Sequence, residues 1–265
     1  MKKYLVIGNP IEHSLSPKLH NYWIKQNNIN ASYEKKLISE NDIKNIVSRI
    51  KSEEITGINV TVPFKHKIVP FVDILTKEAE ETKSINTIYL EKGKTIGHNT
   101  DIAGFELGIR SYGYDIEKKN ILIFGAGGVV PSIIVALKKM KALNIFLCNR
   151  TLDKAENLKS KFKYIEIIEK NEIPEHIDMI INATSLGINK DDQIDLDYEK
   201  IGPNKFYYDL IYNPPQTNFL KQAKIFGNNT ENGKMMFIYQ AHQAFSIWHK
   251  VLPKIDEKVI ELLDK

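Results

Sequence analysis

The sequence predicts an α/β protein in two successive halves, and three observations carry that reading. Short apolar runs suited to buried strands alternate with amphipathic stretches suited to helices along most of the chain. Two such runs, Asn120–Phe124 and Asn144–Cys148, are joined by a glycine-rich turn and a helical stretch at 132–141. At 265 residues the chain can build two cores.

The first half opens with a strand at 4–7 that stops at Gly8-Asn9-Pro10. Ser14-Leu15-Ser16-Pro17 follows, with Pro17 suited to a first helical turn and Ser16 expected to cap the helix at 18–27. A cap explains Ser16 and leaves Ser14 over. Two hydroxyls beside a helix start also suit a small carboxylate. Strand 31–37, helix 40–51 and strand 57–63 come next, and then Phe64-Lys65. Ligands of α/β proteins sit at the C-terminal ends of strands, so Thr61 and Lys65 point to a cleft. The plain alternative for Lys65 is an exposed loop lysine. After a helix end at 78–83, strands 84–90 and 95–99 form a hairpin around Gly93. They carry Asn86-Thr87 and Asn99-Thr100-Asp101, polar groups that need partners if buried. Asp101 can cap the helix expected at 103–111, bind a ligand, or do both.

The second half begins with Gly125-Ala126-Gly127-Gly128 between strand and helix, a Rossmann-type arrangement. Glycines there let a backbone approach a pyrophosphate seated on the helix N-terminus. Val130 stands where the third small residue usually does. Past the second strand, Asn149-Arg150-Thr151 offers a cation and small polar groups where an acidic residue would bind the ribose of NAD. That set suits a 2′-phosphate, so the cofactor expected is NADP. Helix 155–162, strands 165–168, 179–185 and 206–212, and helices 217–225, 234–250 and 253–263 complete the chain. Their alternation implies a parallel sheet.

Composition narrows the function. The net charge is +4 and the lysines are spread through helical segments, which gives no nucleic-acid footprint. The one cysteine, Cys148, lies in an apolar run and reads as an inert core thiol. Seven histidines are scattered, so no metal is expected. The apolar run at the N-terminus is too short for a signal peptide, and no run is long enough to span a bilayer. A cytoplasmic enzyme acting on a small molecule is expected, with no membrane partner; a homodimer is compatible with the sequence.

Taken together, the SLSP stretch, NVTVPFK at 59–65, both Asn-Thr pairs with Asp101, GAGG at 125–128, NRT at 149–151, NATS at 182–185, DLIY at 209–212 and the run from Gly233 to Gln240 resemble the shikimate dehydrogenase family. The pieces occur in the family's order over nearly the whole chain. The resemblance implies reversible NADPH-dependent reduction of 3-dehydroshikimate to shikimate. It implies that Ser14, Ser16, Thr61, Lys65, Asn86, Asp101, Tyr212 and Gln240 hold the substrate, with Lys65 and Asp101 as the catalytic pair. The cofactor set expected is Gly125, Ala126, Gly127, Gly128, Val129, Asn149, Arg150, Thr151, Lys154, Leu210 and Gly233. It also implies a substrate domain over 1–101, to which 236–265 returns, and a Rossmann domain over 102–235. Ile102, Val130 and Lys77 depart from the family pattern; many relatives have glycine after the aspartate and an acidic residue at the position of Lys77. Two rivals remain: an NAD-dependent quinate/shikimate dehydrogenase, against which Arg150 speaks, and a non-catalytic dinucleotide-binding regulator, against which the retained Lys65 and Asp101 speak.

Overall fold

The structure is a computed structural model, and it describes residues 1–264. It divides into two compact units, Met1–Gly104 with Ile238–Lys265, and Phe105–Phe237. The divisions fall inside helices, a few residues past the 101 and 235 expected, because no flexible linker separates the units.

The first unit contains β1 (Lys2–Gly8), α1 (Ser16–Gln26), β2 (Ala31–Leu37), α2 (Ile43–Lys51), β3 (Gly57–Val60), β4 (Ile74–Leu75), α3 (Lys77–Thr82), β5 (Thr87–Glu91), β6 (Lys94–His98) and the start of α4 (Asp101–Ser111). Its sheet runs β2-β1-β3-β5-β6-β4. The sheet is mixed, not wholly parallel, since the hairpin makes β5 antiparallel to both β3 and β6. Ile58, Val60, Ile88 and the inner face of α2 (Ile43, Ile46, Val47, Ile50) form a dry core. β2 is an edge strand, and α1 meets its outer edge at Tyr33. The Asn21 amide donates to Tyr33 O at 2.7 Å and accepts from Tyr33 N at 3.0 Å.

The second unit carries the rest of α4, β7 (Asn120–Phe124), α5 (Val130–Lys139), β8 (Asn144–Cys148), α6 (Leu152–Lys161), β9 (Ile165–Ile167), β10 (Met179–Asn182), α7 (Tyr198–Ile201), β11 (Phe206–Asp209), α8 (Asn218–Ile225), β12 (Asn229–Asn232) and the start of α9 (Lys234–His249). Its sheet, β12-β11-β10-β7-β8-β9, is parallel throughout. Strand order reverses between β7 and β10, the place where open α/β sheets form a ligand crevice.

From Ile238 onward α9 belongs to the first unit, as does α10 (Glu257–Leu262). Trp248 Nε1 donates to Ile88 O at 3.3 Å, and Trp23 Nε1 donates to Lys254 O at 3.0 Å. The last helix starts at Glu257, not at 253, because Asp256 supplies its cap by accepting from Val259 N. Ser16 is not the N-cap of α1: that position is Leu15, and Ser16 is the first helical residue. No helix among the described residues is long and apolar enough to cross a membrane.

Candidate active site

In the first unit Lys65 and Asp101 meet. Lys65 follows β3 in a turn closed by Phe64 N donating to Thr61 O, and its own carbonyl accepts from Ile85 N at 2.9 Å. Phe64, 2% exposed, anchors that turn in the core. Asp101 opens α4, where the helix dipole favours an anion. Lys65 Nζ lies 2.6 Å from Asp101 Oδ2, and the two side chains are only 12% and 6% exposed. In a pair so poorly hydrated the two charges attract each other more strongly than across a surface salt bridge, the loss of their hydration offsets that gain, and removal of either partner would leave an uncompensated buried charge. Ile102, the departure beside it, is buried at 2% and leaves the pair intact.

Asn86 organises the groups around this pair. Its amide donates to Asp101 Oδ1 at 2.9 Å and to Thr100 Oγ1 at 2.8 Å, with Gln240 Oε1 at 3.5 Å. Its carbonyl oxygen accepts from Thr100 N at 2.8 Å. The network continues through two residues not expected in the site. Asn59 Nδ2 donates to Asn86 O and Thr87 Oγ1, both at 3.0 Å, and Asn59 Oδ1 accepts from the Tyr33 hydroxyl at 2.6 Å. Burial holds the Tyr33 phenol well above its usual range, partly offset by a hydrogen bond from Ser16. One chain of contacts thus runs from Lys65 to Ser16. Ser14 adjoins it through Ser16 N, which donates to Ser14 Oγ at 3.4 Å. Thr61 is half-buried, held by its backbone to Ile7. Asn59, a polar residue within an apolar strand, was the available signal in the sequence; Tyr33 gave none.

Tyr212 lies in the second unit, stacked on Phe237 at 4.6 Å between ring centroids. The glycine turn there connects β7 to α5. Gly125 has φ +108°, and a Cβ on it would lie 2.8 Å from Ala183 O, so no side chain fits. Ala126, Gly127, Gly128 and Val129 complete the turn, and Val129 is the N-cap of α5 without a capping side chain. Val130, at the departing position, is fully buried as the first helical residue. Gly233 is seated against Leu210 O more closely than any Cβ would permit. Arg150, Thr151 and Lys154 are exposed at the start of α6, and Asn149 Nδ2 donates to Thr151 O at 2.7 Å. The backbone cradle and these cations fit a dinucleotide with a phosphorylated ribose. Cys148, at the end of β8, is half-buried, and burial pushes its thiol up. Among the described residues no group of three or more His, Cys, Asp or Glu side chains could hold a metal ion.

A buried anion lies beside the cradle. Asp209, at the end of β11, is fully buried, and burial lifts its carboxyl to about 6. Three neutral groups donate to it: Asn182 Nδ2 at 3.0 Å, Ile211 N at 3.0 Å and Thr217 Oγ1 at 2.6 Å.

Two family models match the chain: the shikimate dehydrogenase substrate binding domain over residues 6–88 and shikimate / quinate 5-dehydrogenase over residues 106–192. Shikimate dehydrogenase (NADP(+)) of Pelagibacter ubique is 56% identical over 263 residues, covering 99% of each chain. The crystal structure of shikimate dehydrogenase from Aquifex aeolicus superposes with a TM-score of 0.92 at 35% identity, covering 100% of this chain and 98% of that one. Shikimate 5-dehydrogenase from Thermus thermophilus, solved in complex with NADP(H) and shikimate, gives a TM-score of 0.91 at 26% identity, covering 100% of this chain and 99% of that one.

Proposed function

The chain belongs to the shikimate dehydrogenase family, and from that premise we propose that it reduces 3-dehydroshikimate to shikimate with NADPH, reversibly, using Lys65 and Asp101 as its catalytic pair. The observation that carries the reading is the buried Lys65–Asp101 contact of 2.6 Å within a network of hydroxyl and amide groups. Such a network suits a ring with several hydroxyls better than an apolar substrate.

When bound, NADPH supplies the hydride that reduces the ketone carbon. Negative charge then grows on the ketone oxygen, and Lys65 lies where an ammonium can stabilise it and give it a proton. Asp101 fixes the ammonium in place and offers its other oxygen, already held by Asn86, to a substrate hydroxyl. Ser14 and Ser16 bind the carboxylate, so the ring is held at both ends and its reacting carbon is oriented. Thr61, Asn86, Gln240 and Tyr212 contribute the remaining polar contacts. For the cofactor, the turn from Gly125 to Val129 receives the pyrophosphate. Asn149, Arg150, Thr151 and Lys154 would receive the 2′-phosphate, and Leu210 and Gly233 would line the nucleotide's site. The units correspond to a substrate domain and a cofactor domain.

The test is absorbance at the reduced-nicotinamide band when the protein is mixed with shikimate and NADP, then with NAD, then with quinate in place of shikimate. Fast reduction with shikimate and NADP is expected. Faster reduction with NAD, or with quinate, would transfer the reading to the quinate/shikimate enzymes.

A further inference from the structure

Among the described glycines, Gly125 and Gly233 are the two whose added Cβ would press hardest into backbone, in each case a carbonyl, and each carbonyl follows one of two hydrogen-bonded side chains. Gly125 abuts Ala183 O, and Gly233 abuts Leu210 O. Ala183 follows Asn182 and Leu210 follows Asp209. Asn182 and Asp209 are adjacent in the β10–β11 register, and their side chains are hydrogen bonded at 3.0 Å. Leu210 N also donates to Asn182 O at 3.0 Å. The distance between the two glycine seats is therefore set where Asn182 meets Asp209.

Both residues also reach into the loops beyond their strands. Asn182 Nδ2 donates to Leu186 O at 2.9 Å, and its Oδ1 accepts from Thr184 N at 3.0 Å and Thr184 Oγ1 at 2.7 Å. Asp209 accepts from Ile211 N and from Thr217, which caps α8 by accepting from Leu220 N. Both side chains are completely buried. A buried carboxylate with no cation beside it is expensive, and an apolar residue would fill the same volume without that cost. Three donors that converge on its two oxygens, each fixing a different piece of backbone, explain why an acceptor of that capacity stands there.

We propose that Asp209 is a positioning residue for the dinucleotide site: with Asn182 and Thr217 it holds the loops at 183–187 and 210–217 so that the seats of Gly125 and Gly233 keep their spacing. The inference rests on the cofactor reading given above for those glycines. Every residue in the network belongs to the second unit, and of the substrate residues proposed above only Tyr212 lies in a loop that it holds, so its effect should fall mainly on NADPH.

NADPH affinity, read by the fluorescence of the bound nucleotide, tests it in the full-length chain with Thr217→Val, Thr217→Ser and Asp209→Asn. Thr217→Val removes one donor to the carboxylate and is expected to weaken NADPH about tenfold. Thr217→Ser keeps the hydroxyl and should restore affinity to within about twofold. The KM for shikimate, measured at saturating NADPH, should rise much less than the NADPH dissociation constant does, because Tyr212 alone among the proposed substrate residues lies in the loops held. Thr217→Val that binds NADPH as wild type does while unfolding at a lower temperature would overturn the proposal, since a purely structural role predicts that pattern. An equal rise in the KM for shikimate would overturn it too. If Asp209→Asn cannot be recovered folded, the Val and Ser pair at 217 decides alone. A wild-type chain that binds no NADPH would overturn the cofactor reading itself, whereas wild-type binding with unaffected variants overturns only the role of Asp209.

Discussion

Asp101 and Asp209 are both buried carboxylates at the C-terminal ends of strand regions, one in each unit, and they are solvated differently. Asp101 has an ammonium at 2.6 Å. Asp209 accepts only from neutral donors, and burial lifts it to about 6. A carboxylate beside a cation forms a charged pair that can pass a proton to a substrate or steady the group that does. A carboxylate surrounded by backbone and neutral side chains is suited to holding loops. Burial is common to the two carboxylates; the charge beside them sets them apart.

The largest effect should come from breaking the charged pair. Lys65→Ala is expected to lower kcat by about 10²–10⁴-fold with little change in the KM for shikimate. Steady-state kinetics checks this, and near-wild-type turnover would reduce Asp101 to the same scaffolding role as Asp209. The second effect concerns the exposed cations at the start of α6 in the second unit. Arg150→Ala should raise the KM for NADPH about 10–100-fold, the loss of one charge-assisted bond, while leaving that for NADH unchanged. Because Arg150 is exposed, the unfolding midpoint should not move. Equal effects on both nucleotides would remove the 2′-phosphate from its role.

A smaller effect is expected from Tyr33→Phe, which strips the buried Asn59 Oδ1 of its 2.6 Å donor. Leaving that acceptor unsatisfied should cost about 1–3 kcal/mol, readable by denaturant unfolding. An unchanged midpoint would mean that the network relaxes around the gap.

A further expectation is a pair of opposed pH slopes that largely cancel in the wild-type chain. Asp209 has a raised carboxyl, so its folded form holds a proton that the unfolded chain releases. The stability it contributes is present below about 4 and is lost as pH rises through about 6. His20 is the reverse case. Burial, with His249 nearby, drops its imidazole to about 3 from 6.5, so stability is lost as pH falls below 6.5. Each slope is at most about 1.4 kcal/mol per pH unit, and between about pH 4 and 6 they oppose each other. Asp209→Asn should therefore lose stability faster on acidification than wild type, and His20→Phe should lose less or gain. Chemical unfolding across pH 4–7 reads both, and parallel slopes in all three chains would refute the assignment.

Lys65 and Asp101 each stand beside a strand end, which points to a ligand cleft; their pairing follows from the family resemblance, and the structure brings the two to 2.6 Å. The glycine turn and the exposed Arg150 beside it were also legible, because each depends on local spacing alone. What the sequence hid depends on distance along the chain. Tyr33 meets Asn59 across 26 residues, and nothing in its own surroundings distinguishes it from a core tyrosine. β4 has two residues, too few for any period, and β12 reads Asn-Thr-Glu-Asn, polar enough to pass for a loop because it is an edge strand. Ser16 looked like a helix cap from its type and from Pro17, but the helix begins one residue earlier than that pattern implies. The strands at 57–63, 179–185 and 206–212 are shorter than their sequence predicts: each stops where its backbone turns away into a loop.

The clasp between Asn21 and Tyr33 has an outcome for how copies of this chain behave together. The outer rim of β2 would otherwise present an open N–H and C=O to any passing extended peptide. With one amide, Asn21 imitates the missing neighbour and occupies both groups. That rim is thereby closed to strand addition at its midpoint, and the protein is guarded there against growing sideways into aggregates.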